Sequence, residues 1–138
     1  MAKRILIVDD ESDVAVYLAT ALRANGYDAV IAANAKTALN EVRQNRPDLI
    51  SLDIVMPEES GIALYKKLKA NPTSAEIPVV VVSGAGQDGT FDFRSLASDE
   101  SVSEPECFFE KPIDVDEYIV MIGELTSANR GSKRKKTS

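Results

Sequence analysis

Five short apolar runs punctuate this chain, at Ile5–Val8, Tyr27–Ala33, Asp48–Leu52, Ile77–Val82 and Glu106–Glu110. Continuous runs of this length suit strands covered on both faces, because a half-exposed strand alternates apolar with polar residues. The stretches between them have a helical period. Val14, Leu18, Ala21 and Leu22 recur at helix spacing, and Asn25-Gly26 supplies a stop. Ala35, Ala38, Leu39 and Val42 repeat the pattern ahead of Pro47. Ser60 can cap a helix carrying Ile62, Leu64, Tyr65 and Leu68, ended by Asn71-Pro72. Asp114 can cap a last one carrying Val115, Tyr118, Ile119, Ile122 and Leu125. Strand and helix alternate, which predicts an α/β fold with a parallel sheet and right-handed crossovers. Gly84 to Pro105 breaks the pattern with glycines, serines and acids. It reads as a short helix plus a long polar loop, with Phe91, Phe93 and Leu96 as candidate anchors, and its Gly86–Glu104 stretch is expected to be the most mobile part of the folded body.

Four of the five runs end in a residue capable of chemistry. Ile5–Val8 runs into Asp9-Asp10, Leu49–Leu52 into Asp53, Val79–Val82 into Ser83, and Cys107–Glu110 into Lys111. Parallel strands gather such endpoints along one edge, and open α/β sheets bind ligands outside the carboxyl ends of their strands. Carboxylates crowded at one point need a cation to be tolerated. Magnesium takes oxygen ligands, keeps several waters and binds through one or two carboxylates plus phosphate oxygens. A hydroxyl and an ammonium beside it suit a phosphoryl group. Each residue alone is better explained as a helix cap, a solvated turn or a surface charge. It is the joint placement at successive strand ends that points to a site.

Composition narrows the function. At 138 residues one domain is expected, and such a chain buries roughly 70% of its unfolded surface. The body is expected to span residues 1–127 and a disordered basic tail residues 128–138. The tail holds Arg130, Lys133, Arg134, Lys135 and Lys136 and no acid. Setting aside those five of the 16 basic residues leaves 11 against 22 acids, or −11 for residues 1–127. So acidic a body attracts cations and repels nucleic acid, and direct DNA binding is not expected. No histidine is present, so the chain carries neither a phosphohistidine nor a His-ligated zinc. The single cysteine, Cys107, suits a reducing compartment, and the apolar runs are too short for a leader or a bilayer span. A cytoplasmic protein without membrane insertion, and without a fused output module, is expected.

The motifs Ile-Leu-Ile-Val-Asp9-Asp10-Glu11, Leu-Asp53-Ile-Val-Met56-Pro57-x-x-Ser-Gly61, Val-Val-Ser83-Gly84 and Phe108-Phe-Glu-Lys111-Pro112 stand in order along residues 3–127. In this set the chain resembles the receiver domain of two-component response regulators, of the stand-alone, chemotaxis-regulator-like kind. The resemblance implies a flavodoxin-like, doubly wound sheet of five parallel strands in the order 2-1-3-4-5, with helices on both faces. It implies that Asp53 is the phosphoacceptor and that Mg²⁺ is held by Asp10 directly, by Asp9 through water, by Asp53 and by the backbone carbonyl of Val55. Ser83 and Lys111 would stabilise the phosphoryl group, and Ser83 with Phe108 would form the switch. The donor would be a sensor histidine kinase or histidine phosphotransfer protein, and the readout a contact with an unidentified downstream protein. The chain departs from the family pattern in a longer, more acidic Ser95–Glu106 and in the missing hydroxyl at Phe108.

Two other classes compete. A flavodoxin-like cofactor binder needs a phosphate-cradling loop after the first strand, but Asp9-Asp10-Glu11-Ser12-Asp13 stands there and would repel phosphate. A hydrolase working through an aspartyl phosphate needs a second acid two residues after the nucleophile, where Val55 stands. No enzymatic turnover is expected beyond self-phosphorylation from a donor and slow self-dephosphorylation. The resemblance implies that Val55 and Ala85 flank the line of water attack, and their apolar side chains cannot hydrogen-bond a water. Lys111-Pro112 is expected to be a cis peptide that turns the chain off the fifth strand.

Overall fold

The structure, a computed structural model, describes residues 2–54, 61–83, 107–110 and 113–127, with backbone alone at Gly61, Ile62, Ser83, Phe108 and Glu110. In chain order the described elements are β1 (Arg4–Val8), α1 (Ser12–Ala24), β2 (Asp28–Ala32), α2 (Ala35–Gln44), β3 (Leu49–Asp53), α3 (Gly61–Ala70), β4 (Val79–Ser83), β5 (Cys107–Glu110) and α4 (Val115–Thr126). The strands form one sheet in the order β2-β1-β3-β4-β5, parallel throughout. The order reverses at β1 and β3, where crossovers leave in opposite directions.

Apolar side chains cover both faces of the sheet. On one face Leu6, Val8, Ile50, Leu52, Val79 and Val81 meet Ala35, Ala38 and Val42 of α2 and Leu64, Tyr65 and Leu68 of α3. On the other, Ile5, Ile7, Leu49, Val80 and Val82 meet Ala15, Leu18, Ala19 and Leu22 of α1 and Tyr118 and Ile122 of α4. The continuous apolar runs in the sequence are explained by this double cover, since odd and even residues are both buried.

Helix ends follow the local chemistry. Gly26, at φ +90°, closes α1: its N–H donates to the Arg23 carbonyl at 3.1 Å, and the Tyr27 N–H donates to the Leu22 carbonyl at 3.0 Å. That pair of bonds is a Schellman ending, whose left-handed residue favours glycine. Asn34 caps α2 by accepting from the Thr37 N–H at 2.8 Å, and Asp114 caps α4 by accepting from the N–H groups of Asp116 and Glu117. The expected cap Ser60 lies outside the described residues, as do Gly84–Pro105 and the tail. The buried stripe of α1 differs from the spacing read in the sequence: Ala15 and Ala19 are fully covered, while Ala21 is half-buried. Alanine carries a weak hydrophobic signal, but its small side chain lets α1 lie close to the sheet.

Candidate functional site

The acidic residues converge at the carboxyl edge. Val8 pairs in register with Leu52, so the residues that follow, Asp9 and Asp53, lie level on adjacent strands. The Asp9 N–H donates to the Ala32 carbonyl at 3.1 Å and the Ile54 N–H to the Val82 carbonyl at 3.0 Å, which carries the ladders past the strand ends. Asp9 and Asp53 are buried, Asp10 is exposed, and carboxylate oxygens of the three lie within 4.8 Å of one another. One oxygen of Asp9 also accepts the Glu11 N–H at 2.9 Å, a turn that feeds directly into α1. The N-cap residue Glu11 makes no side-chain cap bond to that helix, whose positive dipole end abuts the acids and offsets part of their charge.

The donor set tests the metal. It is all oxygen, with no imidazole in the chain, which selects a hard cation. Oxygens around Mg²⁺ at 2.0–2.1 Å span about 4.2 Å across the ion. The 4.8 Å cluster admits such an ion with a contraction of a few tenths of an ångström, or with one carboxylate acting through water. The residues therefore fit the cation.

Ser83 ends β4 level with Glu110 of β5, one step beyond the level of Asp53 and Val82. Its backbone is thus at the same edge as the acids. Phe108 lies in β5, level with Val81. Val55 and Lys111, including the Lys111-Pro112 bond, lie outside the described residues.

One pair beneath the acids escaped the sequence reading. The Tyr118 hydroxyl of α4 donates to Ser51 Oγ of β3 at 2.7 Å, both residues being buried. The Phe109 and Tyr118 rings meet edge to face, with centroids 5.7 Å apart and planes at 67°. Burial pushes the Tyr118 hydroxyl well above its ordinary pKa; the bond to Ser51 opposes this and the charge of Asp9 adds to it. The signal was present, because a serine inside a doubly covered apolar strand needs a buried partner. Only the fold identifies that partner, 67 residues away.

The fold and this edge define a phosphoryl-receiving signalling domain. The chain belongs to the response regulator receiver domain family, which it matches over residues 5–122. It is 32% identical over 124 residues to the polar-differentiation response regulator DivK of Brucella anthropi, covering 88% of this chain and 94% of that protein. It is 33% identical over 106 residues to the phosphate regulon transcriptional regulatory protein PhoB of Pseudomonas aeruginosa, covering 76% of this chain but 46% of PhoB. It thus spans less than half of that relative. The signal receiver domain of a signal transduction histidine kinase from Syntrophus aciditrophicus superposes with a TM-score of 0.77 at 30% identity, covering 99% of this chain and 97% of that one. Receivers are signalling domains of two-component systems, act through phosphorylation, work with histidine kinases or phosphotransfer proteins and typically bind Mg²⁺ in an acidic pocket. Among the described residues no helix is long and apolar enough to cross a membrane.

Proposed function

We propose that Asp53 accepts a phosphoryl group from the phosphohistidine of a sensor histidine kinase or a histidine phosphotransfer protein. The observation that carries this reading is the carboxylate cluster, with Asp53 buried in it at the end of the central strand. A carboxylate oxygen of Asp53 attacks phosphorus in line. The new O–P bond forms as the P–N bond to the donor imidazole breaks, and the imidazole leaves with a proton. Mg²⁺, held by Asp10 and Asp53, by Asp9 through water and by the Val55 carbonyl, would offset charge on the phosphoryl oxygens. The Ser83 hydroxyl and Lys111 ammonium bind those oxygens. The product places about two negative charges where one stood. Ser83 moves toward them and Phe108 takes the space vacated, so that a downstream protein reads the altered surface. The acidic body and single cysteine support a cytoplasmic setting without direct DNA contact.

Intact mass after treatment with phosphoramidate tests the assignment. The expected result is one added phosphoryl group on the wild type in Mg²⁺, and none in chelator or in Asp53→Asn. Equal labelling of wild type and Asp53→Asn would overturn it.

A further inference from the structure

The face of the sheet that carries the acids is graded. Along β1 the residues on this face are Ile5, Ile7 and then Asp9; along β3 they are Leu49, Ser51 and then Asp53. Ser51 is level with Ile7 and Val80, both apolar and buried. A hydroxyl therefore lies one layer beneath the carboxylates, in a wall otherwise built of aliphatic side chains. Such a group costs about 1–3 kcal/mol if left unpaired. Its partner comes from the far side of the core: Tyr118, fully buried, reaches from α4 to within 2.7 Å. The start of α4 is fixed by the Asp114 cap, and the Tyr118 ring is braced by Phe109 of β5. The bond ties α4 to β3 at the level just below Asp53, and the ring contact adds β5.

Two leucines packed here would fill the space without directional preference. A hydroxyl pair has direction, and it fixes where β3 sits relative to α4. In-line attack depends on such placement, since about 1 Å of displacement can cost about 100-fold in rate. We propose that Tyr118, acting through Ser51, is a positioning residue for Asp53, holding the end of β3 at the depth from which its carboxylate attacks phosphorus. This rests on the phosphoacceptor reading of Asp53. In the transfer to be measured, a carboxylate oxygen of Asp53 displaces ammonia from phosphoramidate: the O–P bond forms, the P–N bond breaks and the amine leaves protonated at nitrogen.

The test is single-turnover labelling by phosphoramidate in saturating Mg²⁺, on the full chain, with donor concentration varied and urea unfolding run in parallel. Tyr118→Phe and Ser51→Ala are each expected to lower the limiting rate by about tenfold with the half-saturating donor concentration little changed. Each single variant also leaves one buried hydroxyl unpaired and loses stability. The double variant removes both polar atoms, so it should regain stability, yet its limiting rate should stay as low as that of either single variant. Ser51→Thr, which keeps a hydroxyl, should retain the wild-type rate. A double variant that recovers rate along with stability would reduce the pair to a structural role and overturn the proposal, as would single variants with unchanged rates. Absence of labelling in the wild type would instead sink the phosphoacceptor reading, and this inference with it.

Discussion

Replacing Asp53 by asparagine should make the metal-free protein more stable, although it abolishes the chemistry. The carboxylates of Asp9 and Asp53 are both buried and their oxygens lie within 4.8 Å. At that distance an effective dielectric constant of about 20 gives about 3 kcal/mol of repulsion. Asp10 is exposed and adds less, because water screens it. The α1 dipole offsets part of this sum, so a net gain of ~1–3 kcal/mol is expected from Asp53→Asn, whose amide keeps the same shape and donates hydrogen bonds. For a chain of 138 residues, 1 kcal/mol moves Tm by roughly 3–4 °C. Thermal unfolding in chelator should therefore place the variant ~3–10 °C above the wild type. Mg²⁺ should close the gap, since a ligand at 100 times its Kd stabilises by about 2.7 kcal/mol, and the variant should respond less than half as strongly. A metal-free Tm equal to or below that of the wild type would show that the cluster is not under electrostatic load. The case for a cation-requiring site would then fail.

Two further outcomes are expected. Gly26→Ala should cost about 1–2 kcal/mol in urea unfolding, because the residue sits at φ +90° with nothing within 4 Å of an added Cβ, so that the penalty is conformational alone. The aspartyl phosphate should be long-lived, and Val55→Asn combined with Ala85→Glu should speed its loss several-fold by giving an attacking water a hydrogen-bonding partner; a phosphate-release assay that finds no acceleration would refute the reasoning.

β1, β3 and β4 were legible in the sequence because they are buried on both faces and so read as apolar runs, most clearly at Ile5–Val8 and Val79–Val82. Strand ends were less so. Tyr27 and Ala33 were expected in β2 but flank it, since the Tyr27 N–H donates to the Leu22 carbonyl in the ending of α1. Ile77 was expected in β4, yet its N–H donates to the Ser74 carbonyl in a turn, and Pro78 has no N–H to give to a ladder. The convergence of Asp9, Asp10 and Asp53 followed from strand direction alone, and the structure brings these three together. Ser51 and Tyr118 were hidden because their partnership depends on how α4 crosses the sheet, which no local pattern records.

The sheet is also a partition. Asp9, Asp53, Ser51 and Tyr118 share the face under α1 and α4, while Tyr65, Leu68 and Ala38 fill the layer under α2 and α3. The aliphatic residues of the second layer answer chiefly to packing volume, so lineages can repack them while the total is conserved. Residues in the first layer serve two masters, packing and phosphoryl chemistry, and a change that suits one is judged again by the other. Sequence drift should therefore be lopsided across the sheet, and a search for stabilising variants should begin on the α2–α3 side.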